Sequence, residues 1–471
     1  MIQLPAFASP PLGGRFSRLL AVVVLLGLGE CPNETADAAD ANPLSFADGA
    51  LVLDAHANLR FEARANNNDF DASINGPTDD AWLLTRFRLG AKFEPAPWVR
   101  VYAQGQDIRE LGGSRPNNVG AFGADGDDAF DLLQGWVDVG LVGEGLSLRT
   151  GRQPLSFGDQ RLLGNPQWLN STRAWDAVKL RYAADTWQAS AFAGSPVTFL
   201  NNQWNQSDYF NVHEGRNAVD SGVYFSAQQL IPGQSATDGY VIHQKLNKLA
   251  AGAGAPAGAV GRTSVWSVGT RMKGDPRQLH RWDYDLEMVL QAGTAGGLAH
   301  RAFAGHWGGG YNFERTWQPR LGVQFNYASG DGNPGDGKSG TFQNFFPGNH
   351  ALYGFMDTTA WMNVLNPQLN ASVQPTDRLR VTADLMAFWN ATRTDAWYAA
   401  NTSTLVRALT PAALTASRYR GAELDLNAYY QLTTHVNVQA GYAGFLAGTY
   451  LERTGAHDNA HFVYSQMSVK F

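Results

Sequence analysis

The segment 148–182, LRTGRQPLSFGDQRLLGNPQWLNSTRAWDAVKLRY, gathers Arg149, Arg152, Arg161, Arg173, Lys179 and Arg181 against Asp159 and Asp176. Guanidinium groups pair bidentately with carboxylates and phosphates, so a row of them along a channel wall lowers the barrier for a polyanion. Arg86, Arg88, Lys92 and Arg100 fall in the same water-facing phase of neighbouring runs. The competing arrangement is a balanced ladder, in which buried cations need acids simply to be tolerated. Asp138, Asp285, Glu287 and Asp384 could supply those partners. This is binding and electrostatic chemistry with no catalytic step, and neither G-x-S-x-G nor H-E-x-x-H occurs.

Other strings carry less. Gly332-Asn333-Pro334-Gly335-Asp336-Gly337-Lys338-Ser339 matches the phosphate-loop pattern by letter, but Gly340-Thr341-Phe342 follows where a helix must begin, so nucleotide binding is not expected. The acidic clusters Asp125-Gly126-Asp127-Asp128 and Asp331 with Asp336 offer oxygen ligands suited to Ca²⁺, with solvated loop tips as the default. No other cofactor is expected. His457 and His461 share a strand face, yet no third ligand accompanies them.

Strands must position these groups. Leu53, Ala55, Ala57, Leu59, Phe61 and Ala63 interleave with Asp54, His56, Asn58, Arg60, Glu62 and Arg64. A strand turns successive side chains to opposite faces, so one face is apolar and the other wet. The same alternation runs through Trp282–Leu290 against Asp283, Asp285 and Glu287, and through Leu424–Tyr430 against Glu423, Asp425 and Asn427. Turning those carboxylates to hydrocarbon would cost roughly several kcal/mol. The chain closes on Val463, Ser465, Met467, Val469 and Phe471, a terminal aromatic strand of the kind read by the barrel assembly machinery. The expected fold is all-β: a transmembrane antiparallel β-barrel in lipid, with a polar lumen.

The connections alternate in length. Long ones run near 66–80, 107–129, 153–175, 194–220, 247–262, 329–359, 391–420 and 447–460, with a shorter one in phase at 292–298. Short ones include Glu94–Pro97, Val142–Gly145, Ala183–Thr186, Gln374–Asp377 and Leu432–Thr434, with turns near 231–238, 273–280 and 313–318. Nine links and eight turns join eighteen strands, with sixteen as the alternative count; short turns and both termini would lie in the periplasm.

Mean hydropathy of -0.27 suits a barrel, where wet and greasy faces cancel, and 14 Trp, 16 Tyr and 25 Phe suit interfacial girdles. A net charge of -6 argues against nucleic acid as a partner. Leu19–Leu28, preceded by Arg15 and Arg18, is too short to span a bilayer and reads as a signal-peptide core. Cleavage near 38–41, at Ala36-Asp37-Ala38 or Ala39-Asp40-Ala41, would leave one barrel over 42–471 and remove the single cysteine, Cys31.

Gly151-Arg152-Gln153, Gly158-Asp159-Gln160-Arg161, Trp168–Asn170, the run FQNFFPGNHALYGFMD from Phe342 to Asp357, and GAELDL from Gly421 to Leu426 together resemble the alginate-export family of outer-membrane porins. The resemblance implies a monomeric eighteen-stranded barrel that passes uronate chains through an arginine-rich constriction. Arg152 would head that constriction, with Arg149 and Arg161 next and Asp159 beside them. The alginate-secreting member plugs its pore with a long periplasmic turn before the penultimate strand; here Leu432–Thr434 is minimal, so that gate is not expected. Tyr102, Trp136 and Phe192 have inward phase and would either stack on sugar rings or pack loops against the wall. A channel for another small solute, and a surface adhesin or barrel enzyme working through its loops, remain as alternatives.

Overall fold

The computed structural model describes residues 44–74, 78–114, 126–141, 143–200, 204–207, 218–246 and 262–471. The proposed signal peptide, Cys31 and Asp125 lie outside these residues.

Eighteen strands form one closed antiparallel barrel. In chain order they are β1 (Leu51–Ala65), β2 (Asp80–Ala96), β3 (Val99–Leu111), β4 (Asp128–Gly140), β5 (Gly145–Gln153) and β6 (Trp175–Ala183). Next come β7 (Trp187–Thr198), β8 (Ala218–Ala227), β9 (Gln234–Leu246), β10 (Thr263–Gly274), β11 (Trp282–Ala295) and β12 (Leu298–Asn312). The last are β13 (Arg320–Ala328), β14 (Val364–Thr376), β15 (Leu379–Asn390), β16 (Tyr419–Gln431), β17 (Val436–Ala447) and β18 (Ala460–Lys470). Each strand pairs with its sequence neighbour, and β18 closes on β1 from His56↔Lys470 to Ala65↔His461. Closure leaves no open sheet edge, which hydrocarbon would not tolerate.

The alternation read from sequence sets the faces. Leu286, Met288 and Leu290 point outward, and Met288 and Leu290 are exposed, while Glu287 and Gln291 are buried on the inner face. On β2, Phe87 and Leu89 are exposed outside, and Arg86 and Arg88 are buried inside. The exposed apolar wall is what a lipid-embedded barrel presents. Short turns and long links segregate to opposite ends, and both ends of the described chain reach the short-turn end. There the Lys470 amide donates to the His435 carbonyl, and Phe471 stacks on the His435 ring.

Two long links send much of their length into the barrel. The 154–174 segment between β5 and β6 and the 329–363 segment between β13 and β14 meet in the lumen around Leu155, Leu162, Leu163, Phe342, Phe346, Tyr353, Met356 and Trp361, all buried. Burying each large apolar side chain contributes roughly 1.5–3 kcal/mol. The lumen thus acquires an aromatic insert.

Candidate functional site: a lumen crossed by two inserted segments

The inserts are held from opposite walls. On β1, Arg60 donates to the Trp168 carbonyl and lies 4.0 Å from the centre of the Trp168 ring. Arg86 on β2 donates to the carbonyls of Gln167 and Leu169, at 3.0 and 2.9 Å. Arg88 bridges Gln106 of β3 and the Gln167 side chain. Across the lumen, Asp159 of the same segment pairs with Arg271 at 3.0 Å and Lys273 at 2.6 Å, both on β10. In a ring of eighteen strands β1 and β10 are diametrically opposed, so 154–174 spans the bore.

The 329–363 segment spans it too. Gln291 of β11 donates to the Gln343 carbonyl, while Arg64 of β1 pairs with Asp357 at 3.1 Å. On β16, Glu423 accepts from the Met356 amide at 2.8 Å and Asp425 from the Phe355 amide at 3.1 Å. The backbone comes so close to Glu423 that a Cβ at Gly354 (φ +103°) would run into the carboxylate. His350 stacks on Trp168, with ring centres 3.9 Å apart, and its Nδ1 lies 2.8 Å from Asp357.

Charge is arranged unevenly. At the β9–β11 wall, three cations (Arg161, Arg271, Lys273) meet four carboxylates (Asp159, Asp238, Asp285, Glu287), with separations from 2.6 to 3.6 Å. Burial alone would raise the Asp159 carboxyl, but Lys273 and Arg271 outweigh it and hold the group well below the usual carboxylate range. On the β1–β6 wall of the half nearer the short turns, five inward cations (Lys92, Arg100, Arg149, Lys179, Arg181) face three carboxylates (Asp54, Glu94, Asp138). Arg100 and Lys92 share Glu94, and Arg149 pairs with Asp138 at 2.6 Å while lying 3.5 Å over the Trp136 ring. Lys179 lies opposite Arg149 in register and makes no hydrogen bond or ion pair with any described residue.

One expectation is corrected. Arg152, the residue placed first for the constriction, lies in the outward phase of β5 with Leu148 and Thr150, because Arg149, Gly151 and Gln153 take the inner face. Its guanidinium pairs across the sheet with Asp176 at 2.9 Å. Near the interface an outward cation costs only about 0–1 kcal/mol, so the rim accommodates the pair. Arg161 is inward but buried against Tyr353 and Glu287, and Arg86 and Arg88 are buried as anchors. Of the other cations singled out from sequence, Lys92, Arg100, Arg149, Lys179 and Arg181 lie in the inward phase of their strands. Arg60, Arg64, Arg271 and Lys273 went unselected; their wet phase was the available signal.

Tyr102 lies 5.3 Å from Trp136, centre to centre, at the cationic wall. Phe192 instead packs the insert, stacked on Phe157 at 4.8 Å. The phosphate-loop string lies in the β13–β14 link; Lys338 and Ser339 pair in parallel with Ala299 and His300, and no helix follows. Asp336 accepts from the Lys338 amide and Asp331 from the Asn333 amide. Among the described residues no group of three or more His, Cys, Asp or Glu could hold a metal.

An eighteen-stranded barrel, greasy outside and charged within, defines an outer-membrane channel. The chain belongs to the alginate export family, whose model matches residues 53–465. Its fold is shared by the Pseudomonas aeruginosa outer membrane protein OpdK (TM-score 0.58, 10% identity, covering 89% of this chain and 99% of that one). OpdK with vanillate (TM-score 0.57, 9% identity, 89% and 98% covered) and Acinetobacter baumannii OccAB2 (TM-score 0.58, 10% identity, 89% and 98% covered) are similar as well. No curated protein matches the chain in sequence.

Proposed function

We propose that this barrel is a monomeric diffusion channel for anionic, saccharide-like solutes, uronate oligomers among them. Its short turns and termini would face the periplasm. The observation that carries the reading is the surplus of cations on the β1–β6 wall of the short-turn half, where Arg149, Lys179 and Arg181 run across β5 and β6 beside Tyr102 and Trp136. A carboxylate-bearing chain gains charge-assisted hydrogen bonds there, and the aromatic faces suit sugar rings. The inserted segments narrow the path and set the size limit, a role needing no chemical step.

The test is the single-channel reversal potential in a salt gradient, followed by titration with uronate oligomers. Anion selectivity and concentration-dependent block are expected; cation selectivity would overturn the proposal. A second reading, a channel for a smaller carboxylate, draws on the network around Asp159, in which carboxylates outnumber cations, and on the minimal Leu432–Thr434 turn. Block by a small aromatic acid but not by uronate oligomers would select it.

A further inference from the structure

The outer face of the barrel carries charge that the lumen does not explain. At the long-link end, Lys245 of β9 pairs in register with Ser264, and Arg301 of β12 with Ala292. Both share the outward phase of Trp266, Val268 and Leu290, which are exposed. Arg262 is exposed two residues above Ser264. None of these three side chains makes a hydrogen bond or ion pair with a described residue. The 247–261 link between β9 and β10 contains no Asp or Glu at all.

The rest of this rim behaves differently. The other outward cations of the described strands there are neutralised in place: Arg109 pairs with Asp107 and Arg152 with Asp176. Among the outward cations of the described strands at this end, those of the β9–β12 sector alone lack an acidic partner. From strand spacing and rise, the three cations span roughly 15 Å of wall. Directly beneath them is an aromatic belt. His243 stacks on Trp266 at 4.3 Å, Phe303 lies 5.9 Å from Tyr327, and Trp307 lies 6.0 Å from Phe325. Above them, β11 turns into β12 through Gly296-Gly297 with no long loop to cover Arg301.

Cations that face outward above an apolar aromatic wall meet lipid headgroups, not solute. We infer that the β9–β12 sector is a binding site for a phosphorylated lipid of the outer leaflet, a bis-phosphorylated glucosamine lipid, with Lys245, Arg262 and Arg301 on its phosphates and Trp266 and Phe303 against its acyl chains. Charge complementarity selects this occupant: the site offers only donors, and a phosphate offers only acceptors. The inference rests on the long-link end facing outward in the channel reading above.

The test uses the full-length protein purified in detergent, with Lys245→Gln/Arg262→Gln/Arg301→Gln beside the wild type. Binding of bis-phosphorylated lipid A is followed by native mass spectrometry and by tryptophan fluorescence. The wild type should bind it more tightly than the dephosphorylated lipid, and the triple variant should lose on the order of 100-fold in affinity, at about 1 kcal/mol per cation. Conductance in planar bilayers should be unchanged, which separates this site from the channel reading. Equal affinity for the dephosphorylated lipid, no loss in the triple variant, or equal displacement by millimolar inorganic phosphate would overturn the inference.

Discussion

The Trp168 indole and the His350 imidazole lie nearly parallel, 13° apart with ring centres separated by 3.9 Å. They come from different inserted segments, and Arg60 caps the opposite face of the same indole. The stack therefore ties the two inserts to each other and to the wall.

Removing it should loosen the insert without unfolding the barrel. Trp168→Ala forfeits the stack and the cation over its other face, together on the order of 2–4 kcal/mol. The expected outcome is a larger single-channel conductance with frequent transitions between sublevels. An unchanged, quiet conductance would show that the two segments stay in place without this contact.

Charge reversal at two neighbouring arginines should separate the faces of the wall. Arg149→Glu, inside the bore, should shift the reversal potential towards cation selectivity. Arg152→Glu sets two like charges against each other on the outer rim, so it should lower thermal stability while leaving selectivity near that of the wild type. If Arg152→Glu alone abolished anion preference, the outward placement would be wrong.

Gly354 is held at φ +103° with the Glu423 carboxylate where a Cβ would go. Gly354→Ala should cost about 1–3 kcal/mol through backbone strain and the loss of the close approach. Limited proteolysis within 340–360 would report the undocking, and equal protease resistance in the variant would count against it.

Asp357 gives a pH dependence with a definite sign. Burial pushes its carboxyl up, but His350 and Arg64 outweigh that and hold it below the usual range. A depressed folded value contributes stability above the unfolded value of about 4, lost as pH falls through the folded one. Asp357→Asn should therefore weaken the insert at neutral pH, and its stability difference from the wild type should shrink only below about pH 4. A difference already gone at pH 6 would contradict this assignment.

The barrel was legible because its cause is local. A period of two in hydrophobicity is imposed on every strand by hydrocarbon outside and water inside, so face, strand count and the alternation of short and long connections could be read from 51–471 one segment at a time. The terminal aromatic strand and the family-like stretches around Gly151 and Phe342 pointed the same way. The site was less legible, because charge type says nothing about partner. Arg152 has the composition of a pore residue, yet near the end of a short strand one residue of phase decides between lumen and rim. Arg86, Arg88 and Arg161 were read as lining residues, but they serve as anchors because two long links fold inward and bring carbonyls and carboxylates to them. Only the tertiary structure could decide that: the pairing of Arg60 with Trp168, or of Asp159 with Lys273, depends on closure bringing distant strands around one bore. Hydrophobic patterning constrains each strand separately, whereas the partners of a buried charge are set by which walls and inserts the closed ring makes neighbours.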